Sequence, residues 1–114
     1  MKFDKGLVAG SSTLLVLSLL EREDMYGYQM IEELLRRSNR TFEMKEGTLY
    51  PILHGLEKDK MVTSYDMTAP TGRSRKYYRL TRRGRELLGE KKQEWEQFHQ
   101  GVENVLAWAL PGEA

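Results

Sequence analysis

Between Pro70 and Arg85 the chain carries Arg73, Arg75, Lys76, Arg79, Arg82, Arg83 and Arg85, with no acid among them. That run holds seven positive charges. The whole chain has 18 Lys and Arg against 17 Asp and Glu, a net of +1, so the remainder carries a surplus of six negative ones. Blocks of one sign commonly form interaction surfaces, and guanidinium groups pair with phosphates through two parallel hydrogen bonds. Tyr77 and Tyr78 interleave with these cations and add hydroxyl donors. Neighbours on one strand face opposite ways, so at least one of the two belongs to a core. A second cluster lies upstream. Thr48, Tyr50 and His54 fall on the side of a helix away from Leu49, Ile52, Leu53 and Leu56, with Lys45 at its N-terminal edge. Exposed donors beside the positive end of a helix suit a phosphate or a base edge.

Other chemistries find no support. The absence of cysteine excludes disulfides, thiolate zinc sites and cysteine nucleophiles. His54 and His99 belong to different helices and have no acidic cluster at metal spacing. No serine, histidine and acid form a triad-like pattern, and no glycine-rich loop follows a strand, so neither catalytic residues nor a metal or cofactor is expected. The longest apolar run, Leu14 to Leu20, is seven residues and is interrupted by Ser18. A membrane span needs about 20, and the N-terminus lacks a signal-peptide pattern. The expectation is a soluble, cytoplasmic protein of 114 residues, one domain with at most one appendage.

The elements that must position these residues can be read from periodicity. Ser11 and Ser12 are candidate caps for a first helix that is apolar nearly all round, from Leu14 to Leu20. Glu21 to Asp24 reads as a polar turn. Gly27 and Tyr28 open a second helix that ends in Arg36 and Arg37 at Ser38-Asn39. Thr41 to Met44 is β-friendly and is expected to form a brief strand. A third helix runs from about Glu46 to Lys58 and contains Pro51, which removes a backbone donor. Met61 to Met67 and Arg75 to Thr81 flank Thr68-Ala69-Pro70-Thr71-Gly72 and predict a β-hairpin. Thr81 then caps a last helix reaching about Leu110, ahead of Pro111-Gly112.

That last helix carries Gly84, Leu88, Lys91, Trp95, Phe98, Val102, Val105 and Ala109 at alternating spacings of four and three, a coiled-coil-like seam. Gly84 and Lys91 weaken its start, which is expected to pack on its own domain. Leaving Trp95 and Phe98 in water forfeits about 2 kcal/mol each, so a second copy of the chain is the expected cover, through Trp95, Phe98, Val102, Val105, Leu106 and Ala109. The order of elements is that of a winged helix-turn-helix domain, mainly α with a small hairpin. Its third helix enters the major groove of double-stranded DNA, and the hairpin, or wing, meets the adjacent backbone. A winged-helix module that binds only protein is the alternative. The uninterrupted cations count against it, because protein interfaces exclude charge from their centres.

Four segments carry a more specific likeness: Tyr26-Gly27-Tyr28-Gln29-Met30-Ile31, Glu46-Gly47-Thr48-Leu49-Tyr50-Pro51-Ile52-Leu53, Leu56-Glu57-Lys58 and Arg75-Lys76-Tyr77-Tyr78-Arg79-Leu80-Thr81. With them the chain resembles the PadR family of transcriptional regulators over about residues 10 to 110, in its compact form with one C-terminal helix. The resemblance implies a DNA-binding domain over 1–81 and a dimerisation helix over 82–114. It implies a bacterial repressor that binds an inverted-repeat operator as a homodimer. Lys45, Thr48, Tyr50 and His54 would face the major groove, while Arg73, Arg75, Lys76 and Tyr78 would hold the backbone from the wing. It further implies release from DNA by a planar aromatic compound beside Trp95, with Phe98 and Val102; the alternative is that Trp95 only anchors the dimer. In one respect the chain departs from the family, because Lys45 stands where such proteins commonly have a serine or asparagine cap. Losing a cap costs roughly 1 kcal/mol.

Overall fold

The computed structural model describes residues 3–68 and 70–108. Its elements are α1 (Lys5–Leu19), β1 (Met25–Tyr26), α2 (Gly27–Arg37), α3 (Glu46–Lys58), β2 (Val62–Thr68), β3 (Ser74–Leu80) and α4 (Arg82–Ala107). Helix α1 starts well before the expected serine caps. Asp4 is the cap, its Oδ1 accepting the Gly6 N–H at 2.8 Å. Ser12 Oγ instead donates to the Val8 carbonyl at 2.8 Å, and Ser11 Oγ also reaches back one turn. Short hydroxyls bond to the preceding turn as readily as they cap, so this serine pair does not mark a helix start. Gly6 and Gly10 accordingly lie inside α1.

The second half of α1 is enclosed by α2, α3 and α4, which explains its apolar character all round. Val16, Leu17 and Leu20 are fully buried there, with Met30 and Leu34 from α2 and Leu49, Leu53 and Leu56 from α3. Helix α3 has the expected bounds and accommodates Pro51 early in its length, with the ring exposed.

The hairpin forms as predicted, but its third partner differs. The sheet order is β1-β3-β2, all antiparallel, with Met25 opposite Tyr78 and Tyr26 opposite Tyr77. No strand forms over Thr41 to Met44. Left-handed backbone at Asn39 and Arg40 turns the chain after α2, and Ser38 Oγ accepts the Phe42 N–H at 3.0 Å. The segment pairs with neither of the open sheet edges, at β1 and β2. It delivers Met44 into the core instead.

Helix α4 begins on Thr81, whose Oγ1 accepts the Gly84 N–H at 3.0 Å and donates to the Lys60 carbonyl at 2.7 Å. A Cβ at position 84 would run into the Met61 carbonyl oxygen, so glycine is required where α4 crosses the connection between α3 and β2. Gly84 and Leu88 are buried, as expected for a start that packs on its own domain. Glu21 ties the next turn down, through Lys92 Nζ at 3.0 Å and through its carbonyl to Arg85 at 3.0 Å. Beyond Lys91 every described residue is exposed, and the projecting helix contributes to extents of 63 × 30 × 22 Å.

Two glycines of α4 should therefore respond oppositely to alanine. Gly84→Ala is expected to lower the unfolding free energy by about 1–3 kcal/mol through overpacking. Gly89→Ala, where a Cβ meets nothing within 4 Å, is expected to raise it by about 0.8 kcal/mol through helix propensity. Urea unfolding followed by circular dichroism measures both.

Candidate nucleic-acid interface

Alternation along β3 sorts the cationic run into different roles. Tyr78 and Leu80 point inward and are buried, while Tyr77 and Arg79 lie on the outer face. On that face Tyr26, Tyr77 and Tyr65 form one row across the three strands, set by the pairing of residue 77 with both 26 and 65. Tyr65 stacks on Tyr77 with centroids 5.8 Å apart, and Tyr26 meets Tyr77 edge-on at 5.4 Å. Arg79 caps one end. Its guanidinium lies 5.2 Å from the Tyr65 ring centre and its Nε donates to Asp24 at 3.0 Å. Asp24 also accepts the Tyr65 hydroxyl at 2.6 Å. That acceptor, first of all, pushes the Tyr65 phenol above the ordinary tyrosine range.

The cations thus do not act as one surface. Arg79 is held by Asp24, Arg82 pairs with Glu86 at 3.8 Å, and Arg85 donates to the Glu21 carbonyl. Arg73, Arg75 and Lys76, at the turn end of the wing, instead line a hollow of about 510 Å³ between β3, the start of α2 and α3. From α3 the hollow receives Glu46, Tyr50 and His54, and from the α2 side Tyr26, Gly27 and Tyr28. His54 and Thr48 are exposed, and so is Lys45, which occupies the N-cap of α3 without a side-chain cap bond. Tyr50 is half-buried, its ring 6.3 Å from His54, and its hydroxyl end fills the space a Cβ on Gly27 would need.

One expected contact must be corrected. Tyr78 is only 2% exposed, so it serves the core rather than a backbone from the wing. Burial, then the nearby Glu57 carboxylate and Tyr50, push its phenol upward. Its inward position follows from strand alternation, the same rule that turns Tyr77 outward. Tyr26, Tyr28 and Asp24 escaped the sequence reading. The hydroxyls of the Tyr26-Gly27-Tyr28 run were visible, but their nearness to the wing depends on β1, a two-residue strand too short to leave a periodic signal.

A second hollow, of about 550 Å³, lies between α1 and α4. Phe3, Leu7, Leu14, Phe42, Trp95 and Phe98 contribute apolar walls. Trp95 and Phe98 are thus brought together, whereas Val102 lies a turn further along α4, outside this wall. Trp95, Phe98, Val102, Val105 and Leu106 are all exposed in the single chain. Ala109 lies outside the described residues.

A helix-turn-helix with a cationic wing beside its third helix defines a winged-helix transcriptional regulator. The model of the Transcriptional regulator PadR-like family matches residues 16–90, and the chain belongs to that family. A curated protein of Lysinibacillus sphaericus, uncharacterized in function, is 36% identical over 89 residues, covering 78% of this chain and 82% of its own. A transcriptional regulator of Mycobacterium tuberculosis is 35% identical over 79 residues, covering 69% and 70%. Among solved structures, a transcriptional regulator from Clostridium thermocellum has a TM-score of 0.80 at 30% identity, over 88% of this chain and 97% of that one. A PadR-like transcriptional regulator from Bacillus cereus scores 0.79 at 29% identity, over 90% and 97%. The chain is a regulator of transcription and not an enzyme. No helix among the described residues is long and apolar enough to cross a membrane.

The Tyr65–Asp24 bond has a pH signature. A phenol raised in the folded state stabilises it fully below about pH 10, the value in the unfolded chain, and that contribution fades as pH rises further. Tyr65→Phe should therefore show a flatter loss of unfolding free energy above pH 10 than the unaltered chain. Chemical denaturation at a series of pH values makes the comparison.

Proposed function

We propose that the protein is a homodimeric, sequence-specific repressor whose third helix reads an operator and whose wing holds the flanking backbone. One observation carries this reading. Cations from the wing and polar residues of α3 converge on a single hollow, while most of the exposed apolar residues gather on α1 and α4. Thr48, Tyr50 and His54 are the base-facing residues, and Lys45 lies at the mouth of α3 beside the phosphates. Arg73, Arg75 and Lys76 supply sequence-independent attraction, since phosphate contacts position a protein and base contacts specify the site. Residues 1–81 act as the reading head and 82–114 as the pairing segment.

Pairing uses the exposed side of α4. Trp95, Phe98, Val102, Val105 and Leu106 need a cover that the single chain does not supply, and a second copy provides it. Two reading helices then lie about 34 Å apart, one turn of duplex, which calls for an inverted repeat. A planar aromatic compound entering between α1 and α4 against Trp95 and Phe98 would alter the separation of the two heads. Release requires that the compound favour the unbound arrangement, because equal affinity for both shifts nothing.

Two measurements test the DNA reading and the pairing. The log of the association constant should fall with log salt by about 0.9 per phosphate neutralised. Arg73→Ala and Lys76→Ala should each reduce that slope and weaken all sequences alike, whereas Thr48→Ala and His54→Ala should change the ranking of sites with the slope retained. Trp95→Ala combined with Phe98→Ala should yield a monomer in sedimentation and shift half-maximal operator binding to at least tenfold higher protein concentration, about the loss expected when 1.4 kcal/mol of coupling is removed. A double variant that remains dimeric would contradict the pairing.

A further inference from the structure

The turn between α1 and β1, Glu21 to Asp24, makes contacts in two directions. Its ends are anchored, since Leu20 before it and Met25 after it are both fully buried. Glu21 faces α4. Its two carboxylate oxygens accept Lys92 Nζ at 3.0 and 3.2 Å, and its carbonyl accepts Arg85 Nη1 at 3.0 Å. Asp24 faces the wing. One oxygen, Oδ2, accepts both the Tyr65 hydroxyl from β2 at 2.6 Å and Arg79 Nε from β3 at 3.0 Å.

Arg79 and Arg85 bracket the corner where β3 ends and α4 begins. The turn therefore holds that corner from both sides, Asp24 on the strand and Glu21 on the helix. Three peptide steps span at most about 10 Å, so a shift of Glu21 with α4 is passed to Asp24, and the reverse. Asp24 also leads directly into β1, whose Met25 and Tyr26 pair with Tyr78 and Tyr77 of β3. The two grips differ in strength. Lys92 and Glu21 keep 47% and 41% of their side chains exposed, and such a pair contributes little alone. Asp24 is 24% exposed and takes two charge-assisted bonds, the shorter from a phenol that stacks on Tyr77.

We propose that the Glu21–Asp24 turn is a clasp across the β3–α4 corner that fixes the angle between wing and α4, with Glu21 and Asp24 as positioning residues. Its use in recognition rests on the reading of α4 as the pairing helix and of the wing as a DNA contact. In a pair of chains that angle sets how far apart the two heads stand. The clasp thereby selects the spacing of half-sites that the pair accepts.

Amide hydrogen exchange, followed by mass spectrometry on the full-length chain without DNA, tests the clasp itself. Coupling is reciprocal, so each element should report a change made on the other. Lys92→Glu should speed exchange over residues 62–68 and 74–80 about threefold, within what an exposed pair supplies. Glu21→Lys combined with Lys92→Glu should restore the rate, because the pair re-forms at unchanged net charge. Tyr65→Phe should speed exchange over residues 82–92 by a similar factor. Exchange in α2 should stay the same in all three variants. Acceleration confined to the altered element, or equal acceleration in α2, would overturn the proposal, since the contacts would then serve local or global stability alone.

A second arm uses a duplex selected from a random pool by the unaltered chain. One base pair added between the half-sites should weaken binding of the unaltered chain about tenfold, and that of Tyr65→Phe less than threefold. An equal penalty in both would overturn the selection of spacing. Failure of the unaltered chain to bind any duplex would overturn the DNA reading, while the exchange rates would still decide the clasp.

Discussion

Strand β3 lies between β1 and β2, and its register is the constraint on which the rest of the molecule depends. With Tyr78 opposite Met25 and Ser64, the side chains of Tyr78 and Leu80 enter the core. Sliding the strand by one residue would bury Arg79 and expose both, since the side-chain period of a strand is two. An unpaired guanidinium in that core would cost several kcal/mol. The same alternation delivers Tyr77 to the aromatic row and Arg79 to Asp24. The register thus separates cations that brace the wing from cations left free beneath it.

The ends of β3 transmit this constraint in two directions. Toward the turn, Arg73, Arg75 and Lys76 extend past the two-residue strand β1 and reach the start of α2 and the flank of α3. Toward the C-terminus, Thr81 and Gly84 lock the first turn of α4 against Lys60 and Met61. Glu21, through Lys92 and Arg85, then fixes the direction in which α4 leaves the body. The cationic face and the apolar projecting helix are therefore rigidly related through one strand. Such a relation would let an event on α4 change the spacing of two reading heads.

Much of this was legible in the amino-acid order, for physical reasons that differ by element. Helices α2 and α3 announce themselves through leucines at spacings of three and four, and the hairpin through its Pro/Gly turn. Thr81 caps α4 as its residue type predicts. Strand β1 was illegible because two residues have no periodicity, and Thr41 to Met44, richer in β-formers, joins no strand and sends Met44 into the core instead. The start of α1 was misread because Ser11 and Ser12 satisfy their hydroxyls inside the helix. Around the site, the cationic run was plain, but its division was not. Arg79 and Arg85 find partners 55 and 64 residues away in sequence, at Asp24 and Glu21. Tyr78 was drawn toward the solvent by its neighbours' charge, although alternation required one of the two tyrosines to turn inward.

We propose that α3 and the turn end of the wing form one DNA-reading surface, presented twice by a pair of chains. Hydroxyl-radical footprinting on a selected duplex tests it most directly. The account predicts two protected segments on one face of the duplex, centred about one helical turn apart, with backbone protection flanking each. A single protected segment, or uniform protection without helical phasing, would contradict it.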